Sequence, residues 1–223
     1  MVLSALAAAV MFDRPVSWSG SPVWKPSDPA SPHVRTVFHK VDITLTWDTA
    51  TYKAKTLYKN TGDKPVSGQV LVPILGTGTD DTTWFKTDVK GVWGTSPVSS
   101  RGNVTDTGHD DKWSHWNGFD VTLKPGEWKA FESTLTRPLP KSGEGLAERF
   151  VTYLLQPYDD SLEQVQIAIH YPKGLVFHTI TVSPSEGWQV GENGAFWQKK
   201  DWRPGKTAFR FMFYPGTFEK IGR

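Results

Sequence analysis

The sequence predicts an all-β protein, a two-sheet antiparallel β-sandwich with ten or more short strands. Apolar and polar residues alternate with a period of two, turn-forming residues separate these runs, and no run keeps a helical apolar period for three turns. So many strands favour two packed sheets over one flat sheet. A chain of 223 residues can bury a sufficient core without disulfides, and this chain has no cysteine.

The first twelve residues are apolar and rich in small side chains, and the run ends at Asp13 and Arg14. This composition is typical of the hydrophobic region of an export signal, although no Lys or Arg precedes it. The alternative is a short buried N-terminal helix. We expect a signal-peptide remnant over 1–12, a secreted or periplasmic protein, and no integral membrane segment, because no apolar run approaches about 20 residues.

Residues 13–33 form a separate zone with five prolines and five serines. Proline at this density opposes a helix or a central strand, because it removes backbone donors. Trp18, Val23 and Trp24 offer apolar surface to bury. The zone is therefore predicted to be an extended arm laid over the domain by its tryptophans.

The body of the chain, 34–216, is predicted to be one sandwich domain followed by a tail over 217–223. Alternating strands are expected at Val41 to Trp47, Tyr52 to Tyr58, Val165 to Tyr171 and Phe209 to Phe213, and a doubly buried strand at Val66 to Leu75. Further strands are expected around 84–93, 116–123, 127–135, 149–156, 174–182 and 195–199. The stretch 137–148 resembles a linker, but the remaining C-terminal part is short for a second sandwich.

One stretch of strands and turns has a family resemblance. Val41-Asp-Ile-Thr-Leu-Thr-Trp, then Asn60-Thr-Gly-Asp-Lys-Pro-Val, then Val70-Leu-Val-Pro-Ile-Leu resembles the opening of VIT-type domains, named for vault protein and inter-alpha-trypsin inhibitor. Leu123-Lys-Pro-Gly-Glu-Trp resembles a turn common in Ig-like bacterial modules. Over about 40 residues, the resemblance implies an exported bacterial β-sandwich without a catalytic centre.

Neither the motifs nor the charge point to a standard active site or to a nucleic-acid partner. The G-x-S-x-G and H-E-x-x-H strings are absent, and Gly205-Lys206-Thr207 ends no phosphate loop because Lys200 stands where the loop needs glycine. The 25 basic and 23 acidic residues give a formal charge of +2. That balance gives no reason to expect nucleic acid as a partner.

The most polar loop is the candidate metal site. Asp106, His109, Asp110 and Asp111 offer oxygen and imidazole ligands that suit calcium or zinc. Their spacing matches no defined ligand loop, and the same residues are ordinary in a solvated loop. We therefore expect no cofactor and keep calcium as the alternative.

Tryptophan is the unusual quantity, with 11 residues in the chain. Exposed aromatic rings can stack on sugar rings, whereas buried ones fill the core between two sheets. Trp47 and Trp128 are assigned to the core. The candidate ligand-binding residues are Trp113, His115, Trp116, Trp197 and Trp202. Strand alternation opposes this hypothesis in part, because residues 113 and 116 of one regular strand face opposite ways.

The function predicted from these features is an exported, monomeric, non-catalytic interaction or structural module of unknown ligand, with a protein or a polysaccharide as the candidate partner. A carbohydrate-binding module that uses exposed tryptophans is the first alternative. A polysaccharide-acting hydrolase is the second, because such an enzyme needs two carboxylates about 5–9 Å apart in a cleft. Acids that could supply that pair are Asp110, Asp111, Asp159, Asp160 and Glu163.

Overall fold

The computed structural model describes residues 16–31, 33–46, 49–75, 89–104, 114–138, 149–172 and 181–213. These residues contain sixteen strands and no helix, which confirms the all-β class. The strands are Val16–Gly20 (β1), Val23–Pro26 (β2), Val34–Leu45 (β3), Thr49–Asn60 (β4), Val66–Leu75 (β5), Lys90–Trp93 (β6), Ser96–Val98 (β7), Asn103–Val104 (β8), Ser114–Leu123 (β9), Trp128–Pro138 (β10), Arg149–Leu155 (β11), Leu162–His170 (β12), Thr181–Ser183 (β13), Trp188–Gly191 (β14), Gly194–Trp202 (β15) and Thr207–Phe213 (β16).

One layer of the sandwich is an eight-stranded sheet with the order β14-β15-β12-β3-β4-β10-β6-β7. Its centre is the long hairpin of β3 and β4, which pair antiparallel from Val34 opposite Asn60 to Leu45 opposite Ala50. A register shift between Thr36 and Phe38 marks a bulge in β3. The pair β12–β3 is parallel, which the expectation of an antiparallel sandwich did not include.

The other layer consists of two four-stranded sheets, β1-β11-β16-β13 and β2-β5-β9-β8. The segment 16–26 joins them, because β1 pairs in parallel with β11 and β2 pairs antiparallel with β5. The sandwich therefore has one layer built from a single sheet and one built from two sheets that share a connecting segment.

This connecting segment corrects the prediction of a peripheral arm. Ser19, Ser21 and Val23 are buried, and the Ser21 amide donates to the Leu154 carbonyl at 2.9 Å. The Ser21 hydroxyl accepts a hydrogen bond from the Gln156 amide at 2.9 Å. Proline is tolerated here because Pro22 lies between the two strands and Pro26 ends the second one.

Gly20 allows β1 and β5 to approach each other closely. A Cβ at this position would lie 2.7 Å from Pro73 Cγ and 2.9 Å from the Leu154 carbonyl oxygen. Contacts that short are repulsive, so a larger residue would push the two halves of the layer apart.

The core lies between the two layers, and aromatic pairs cross it. Tyr52 of the eight-stranded sheet packs on Tyr153 of the other layer, with ring centroids 6.3 Å apart. Phe131 of the eight-stranded sheet packs on Phe119 with the two rings tilted and their centroids 5.0 Å apart. Side chains alternate in and out along each strand, so the inner residues form one continuous apolar cluster. Residues 1–12 and the tail 217–223 lie outside the described part of the chain.

Candidate functional site

The outward-facing side chains of β3, β4, β10 and β6 form a surface that we call the cationic face. Burial alternates along β4, where Tyr52, Ala54, Thr56, Tyr58 and Asn60 point into the core and the residues between them point outward. Its outward cations are Arg35, Lys40, Lys53, Lys55, Lys59 and Lys90, and its outward anions are Asp42 and Glu132. Their excess of four positive charges exceeds the +2 of the whole chain.

Strand pairing arranges these residues in transverse rows. Arg35, Lys59 and Trp128 form the first row across β3, β4 and β10. The rows behind it are Phe38–Leu57–Ala130, then Lys40–Lys55–Glu132, then Asp42–Lys53–Thr134. At about 3.4 Å per residue, the face extends about 20 Å along β4 from Lys59 to Lys53.

Trp128 is the exposed aromatic residue of this face. It is 47% exposed and is the only large hydrophobic residue so exposed within the described ranges. The Lys59 ammonium lies 4.4 Å from the centroid of its ring, which is a cation–π distance. The assignment of Trp128 to the core is therefore wrong, because its strand position points away from the other layer.

A tight turn places Trp128 at the start of β10. Gly126 has φ +66°, and the Lys124 amide donates to Glu127 Oε2 at 2.7 Å. The backbone N–H of Asn60, at the end of β4, donates to the backbone carbonyl of Glu127 at 3.0 Å. These bonds fix the backbone beside Trp128, so the indole sits on a rigid strand rather than on a long loop.

The charges on the face are only partly paired with one another. Lys40 lies 2.9 Å from Asp42, and Lys55 lies 2.7 Å from Glu132. All four side chains are more than a third exposed, so each pair contributes little to stability. Both anions have a cation beside them, and the excess positive charge therefore remains available to an external anion.

Neutral hydrogen-bonding groups border the cationic face. Gln164 and Gln166 of β12 lie beside Phe38 and Lys40 of β3. Gln164 Nε2 donates to Gln198 Oε1 at 3.2 Å, so the row of amides continues onto β15. At the end of the face along β4 and β10, beyond Lys53, the hydroxyls of Thr51 and Thr136 lie 2.9 Å apart.

A second polar cluster is buried between the layers. The His39 ring is inaccessible to solvent, with Nδ1 2.9 Å from Thr56 Oγ1 and Nε2 3.0 Å from the Tyr153 hydroxyl. Burial lowers the pKa of His39 to about 3, and burial raises the pKa of Tyr153. Both ring nitrogens are engaged and shielded, so this cluster links the layers and presents no group to a substrate.

Tyr58 and Tyr158 extend the buried polar cluster. The Tyr158 hydroxyl donates to the Pro22 carbonyl at 2.9 Å, which connects the cluster to the segment 16–26. The Tyr58 hydroxyl is buried without a hydrogen-bond partner among the described residues. Burial raises the pKa of Tyr58, and the nearby Tyr158 adds to that rise.

Two of the tryptophans expected to be exposed are in the core. Trp116 is 3% exposed and lies opposite Pro73 and Val104, and Trp197 is 6% exposed. The Trp197 ring packs on Phe209 of the other layer with centroids 4.7 Å apart. The expectation that these two rings are exposed is therefore wrong, because their strands turn them toward the facing sheet.

Trp202 is the remaining candidate binding residue whose side chain the structure describes. Trp202 is half-buried, packs edge-on against Trp197 at 5.5 Å and has the Lys199 ammonium 4.8 Å from its centroid. His115 lies on β9 with its backbone opposite Ile74. Trp113 and Trp47 lie outside the described residues.

The candidate metal ligands Asp106, His109, Asp110 and Asp111 also lie outside the described residues. Within the described ranges, no group of three or more His, Asp or Glu side chains could hold a metal ion.

Of the five acids proposed for a hydrolase, the structure describes Asp159, Asp160 and Glu163, and the other two, Asp110 and Asp111, lie outside the described residues. Asp159 and Glu163 are exposed, and Asp160 is half-buried. Asp160 Oδ2 lies 2.7 Å from His33 Nε2.

The sequence carries a signal for the cationic face in the alternation of β4, which is not a motif. Lys53, Lys55 and Lys59 occupy the polar positions of an alternating strand, which places all three on one side. Trp128 comes directly after the turn at Pro125 and Gly126. An aromatic residue in that position, at the start of a strand, can remain exposed.

Comparison with known proteins gives a fold and no family. No family model matches the chain, and no curated protein sequence matches it. A structure from Legionella pneumophila, provisionally described as a nutrient binding protein, matches with a TM-score of 0.65 and 13% identity, over 87% of this chain and 70% of that one. At that identity the similarity shows the fold alone.

An M1 zinc metallopeptidase from Deinococcus radiodurans also matches, with a TM-score of 0.41 and 8% identity, over 81% of this chain and 42% of that one. The match is too weak to support any conclusion about peptidase chemistry.

No helix among the described residues is long and apolar enough to cross a membrane.

Proposed function

We propose that this protein is a non-catalytic binding module and that the cationic face is its recognition surface. The observation that carries the proposal is Trp128, a large aromatic residue held exposed on a rigid strand beside Lys59. Tryptophan and arginine are enriched among the few residues that contribute most of the binding energy at protein interfaces. The all-β fold, and its similarity to a structure described provisionally as a nutrient binding protein, support a binding role.

For the location, the oligomeric state and the cofactor of the protein, our proposal keeps the expectations from the sequence. We expect an exported, secreted or periplasmic, monomeric protein without a cofactor, and calcium at the loop of Asp106 and His109 is the alternative. The resemblance to VIT-type and Ig-like modules supports the same non-catalytic role. A structural role without a ligand is the competing hypothesis, and it predicts that no ligand is retained through Trp128.

The proposal is tested by capture on an immobilised panel of neutral polysaccharides, acidic polysaccharides, acidic peptides and single-stranded nucleic acid. We expect at least one panel member to retain the wild-type protein. Trp128→Ala and Lys59→Gln should each reduce that retention. Because both side chains lie on the outer surface, the melting temperatures of the two variants should stay close to that of the wild type.

Arg101→Gln is the matched control, because it removes a cation that is exposed on the other layer beside Asp120. This variant should be retained like the wild type. Retention that survives both Trp128→Ala and Lys59→Gln, or a panel that retains nothing, would overturn the proposal.

A further inference from the structure

The geometry points to an acidic polysaccharide as the ligand of the cationic face, an inference that rests on the proposed function. Such a chain carries carboxylate or sulfate groups on hydroxyl-rich rings. The face offers a partner for each of these features: ammonium groups for the anions, an indole for a ring, and amide and hydroxyl groups for the ligand hydroxyls.

The charge distribution selects an anionic ligand. Six cations and two anions lie on the face, and the cations recur along β4 at Lys53, Lys55 and Lys59. Lys53 and Lys55 are about 7 Å apart along the strand, and Lys59 lies about 14 Å further on. A linear array of this kind suits a polymer with repeated negative charges rather than a single small anion.

Trp128 and Lys59 supply adjacent partners for a sugar ring and its acid group. The indole presents a flat apolar surface, and the Lys59 ammonium lies 4.4 Å from the ring centroid. A ring stacked on the exposed part of Trp128 would place a carboxylate or sulfate substituent near Lys59 and Arg35, which share its row. Phe38 and Leu57 continue the apolar surface behind this row, and both are half-buried.

The neutral groups on the margins favour a saccharide over other polyanions. Gln164, Gln166 and Gln198 each have an amide that can both donate and accept, as hydroxyl groups require. An extended peptide binds best at a sheet edge, where backbone groups are free, whereas this surface is the face of a paired sheet. Single-stranded nucleic acid uses several aromatic stacking platforms, and this face has Trp128 as its exposed ring.

Titration calorimetry with matched ligand pairs tests the inference. The pairs are oligogalacturonate against its methyl ester, and dextran sulfate against dextran, so that each pair differs in the acid group. Polyglutamate and oligothymidylate represent the peptide and nucleic-acid alternatives. We expect at least one acidic polysaccharide to bind, its neutral counterpart to bind at least about tenfold more weakly, and affinity to fall as salt is raised.

Variants assign the binding to the face. Trp128→Ala should weaken binding of the acidic polysaccharide by about tenfold. The double variant Lys55→Gln/Lys59→Gln should weaken it and flatten its salt dependence, whereas Arg101→Gln should leave both unchanged. Binding of polyglutamate or oligothymidylate alone, with the same response to Trp128→Ala, would overturn the polysaccharide inference and leave the binding role intact. Failure of every probe, or binding indifferent to these variants, would overturn both.

Discussion

The buried His39 should make the stability of this protein fall steeply in mild acid. In the folded protein the ring is shielded from solvent between Thr56 and Tyr153, and burial lowers its pKa to about 3. In the unfolded chain the same group has an ordinary pKa of about 6.5. Between these two values the unfolded state binds one more proton than the folded state, so stability is lost as pH falls from about 6.5 towards 3.

The size of the effect follows from the difference between the two pKa values. Each pH unit within the window removes about 1.4 kcal/mol from the free energy of unfolding. From pH 7 to pH 5 the loss from His39 alone is about 2 kcal/mol, and by pH 4.5 it is about 3 kcal/mol. A loss of this size is a large share of the 5–15 kcal/mol that is typical of folded domains.

Urea unfolding at several pH values, for the wild type and His39→Gln, isolates the contribution. The glutamine amide can still hydrogen bond but does not titrate. All other titrating groups are common to both proteins. Between pH 7 and pH 5 the free energy of unfolding should therefore fall by about 2 kcal/mol less in the variant than in the wild type. Should the variant fail to fold, the His39 ring proton signals of the wild type can be followed by NMR. Equal pH dependence in the two proteins, or a His39 signal that titrates near pH 6, would refute the reasoning.

Four further predictions concern the core and the segment 16–26. Tyr153→Phe should lower the free energy of unfolding by about 1–3 kcal/mol, because a buried histidine nitrogen loses its partner. Tyr58→Phe should be neutral or stabilising, because the hydroxyl that it removes is buried without a hydrogen-bond partner among the described residues. Equal costs of the two substitutions in urea unfolding would contradict both predictions. Trp116→Ala should cost about 3–5 kcal/mol by the same assay, and a change below 1 kcal/mol would mean that the ring is not buried. Gly20→Ala should cost about 1–3 kcal/mol because its Cβ meets Pro73, and an unchanged melting temperature would refute that close approach.

The fold class was predictable because alternation is a local property of the chain. The hydrophobic period of two along β3, β4, β12 and β16 appears directly in the sequence, and the structure confirms strands at each of these places. The parallel pairing of β12 with β3 was not predictable in the same way. Pairing partners far apart in sequence leave no local pattern, and a connection between parallel strands can be of many lengths.

The segment 16–26 shows why local rules failed at one place. Its prolines oppose a regular strand, and the local rule therefore assigned it to the surface. The long-range contacts reverse that result, because Ser21 and Pro22 accept hydrogen bonds from residues more than 130 positions away. Prolines that fall between and at the ends of two short strands leave the backbone groups needed for pairing intact.

The net charge of the whole chain gave no indication of the candidate site. A net charge of +2 argues against an anionic partner only if charges are evenly mixed over the surface, and in this protein they are not. Strand alternation collects Lys53, Lys55 and Lys59 on one face, which leaves the rest of the chain with a net negative charge. A field of this kind acts on a partner over about one Debye length, roughly 8–10 Å in physiological salt. An anionic chain approaching from that side therefore experiences the local excess of positive charge and not the near-neutral total, so the face that carries Trp128 is also the face that attracts it.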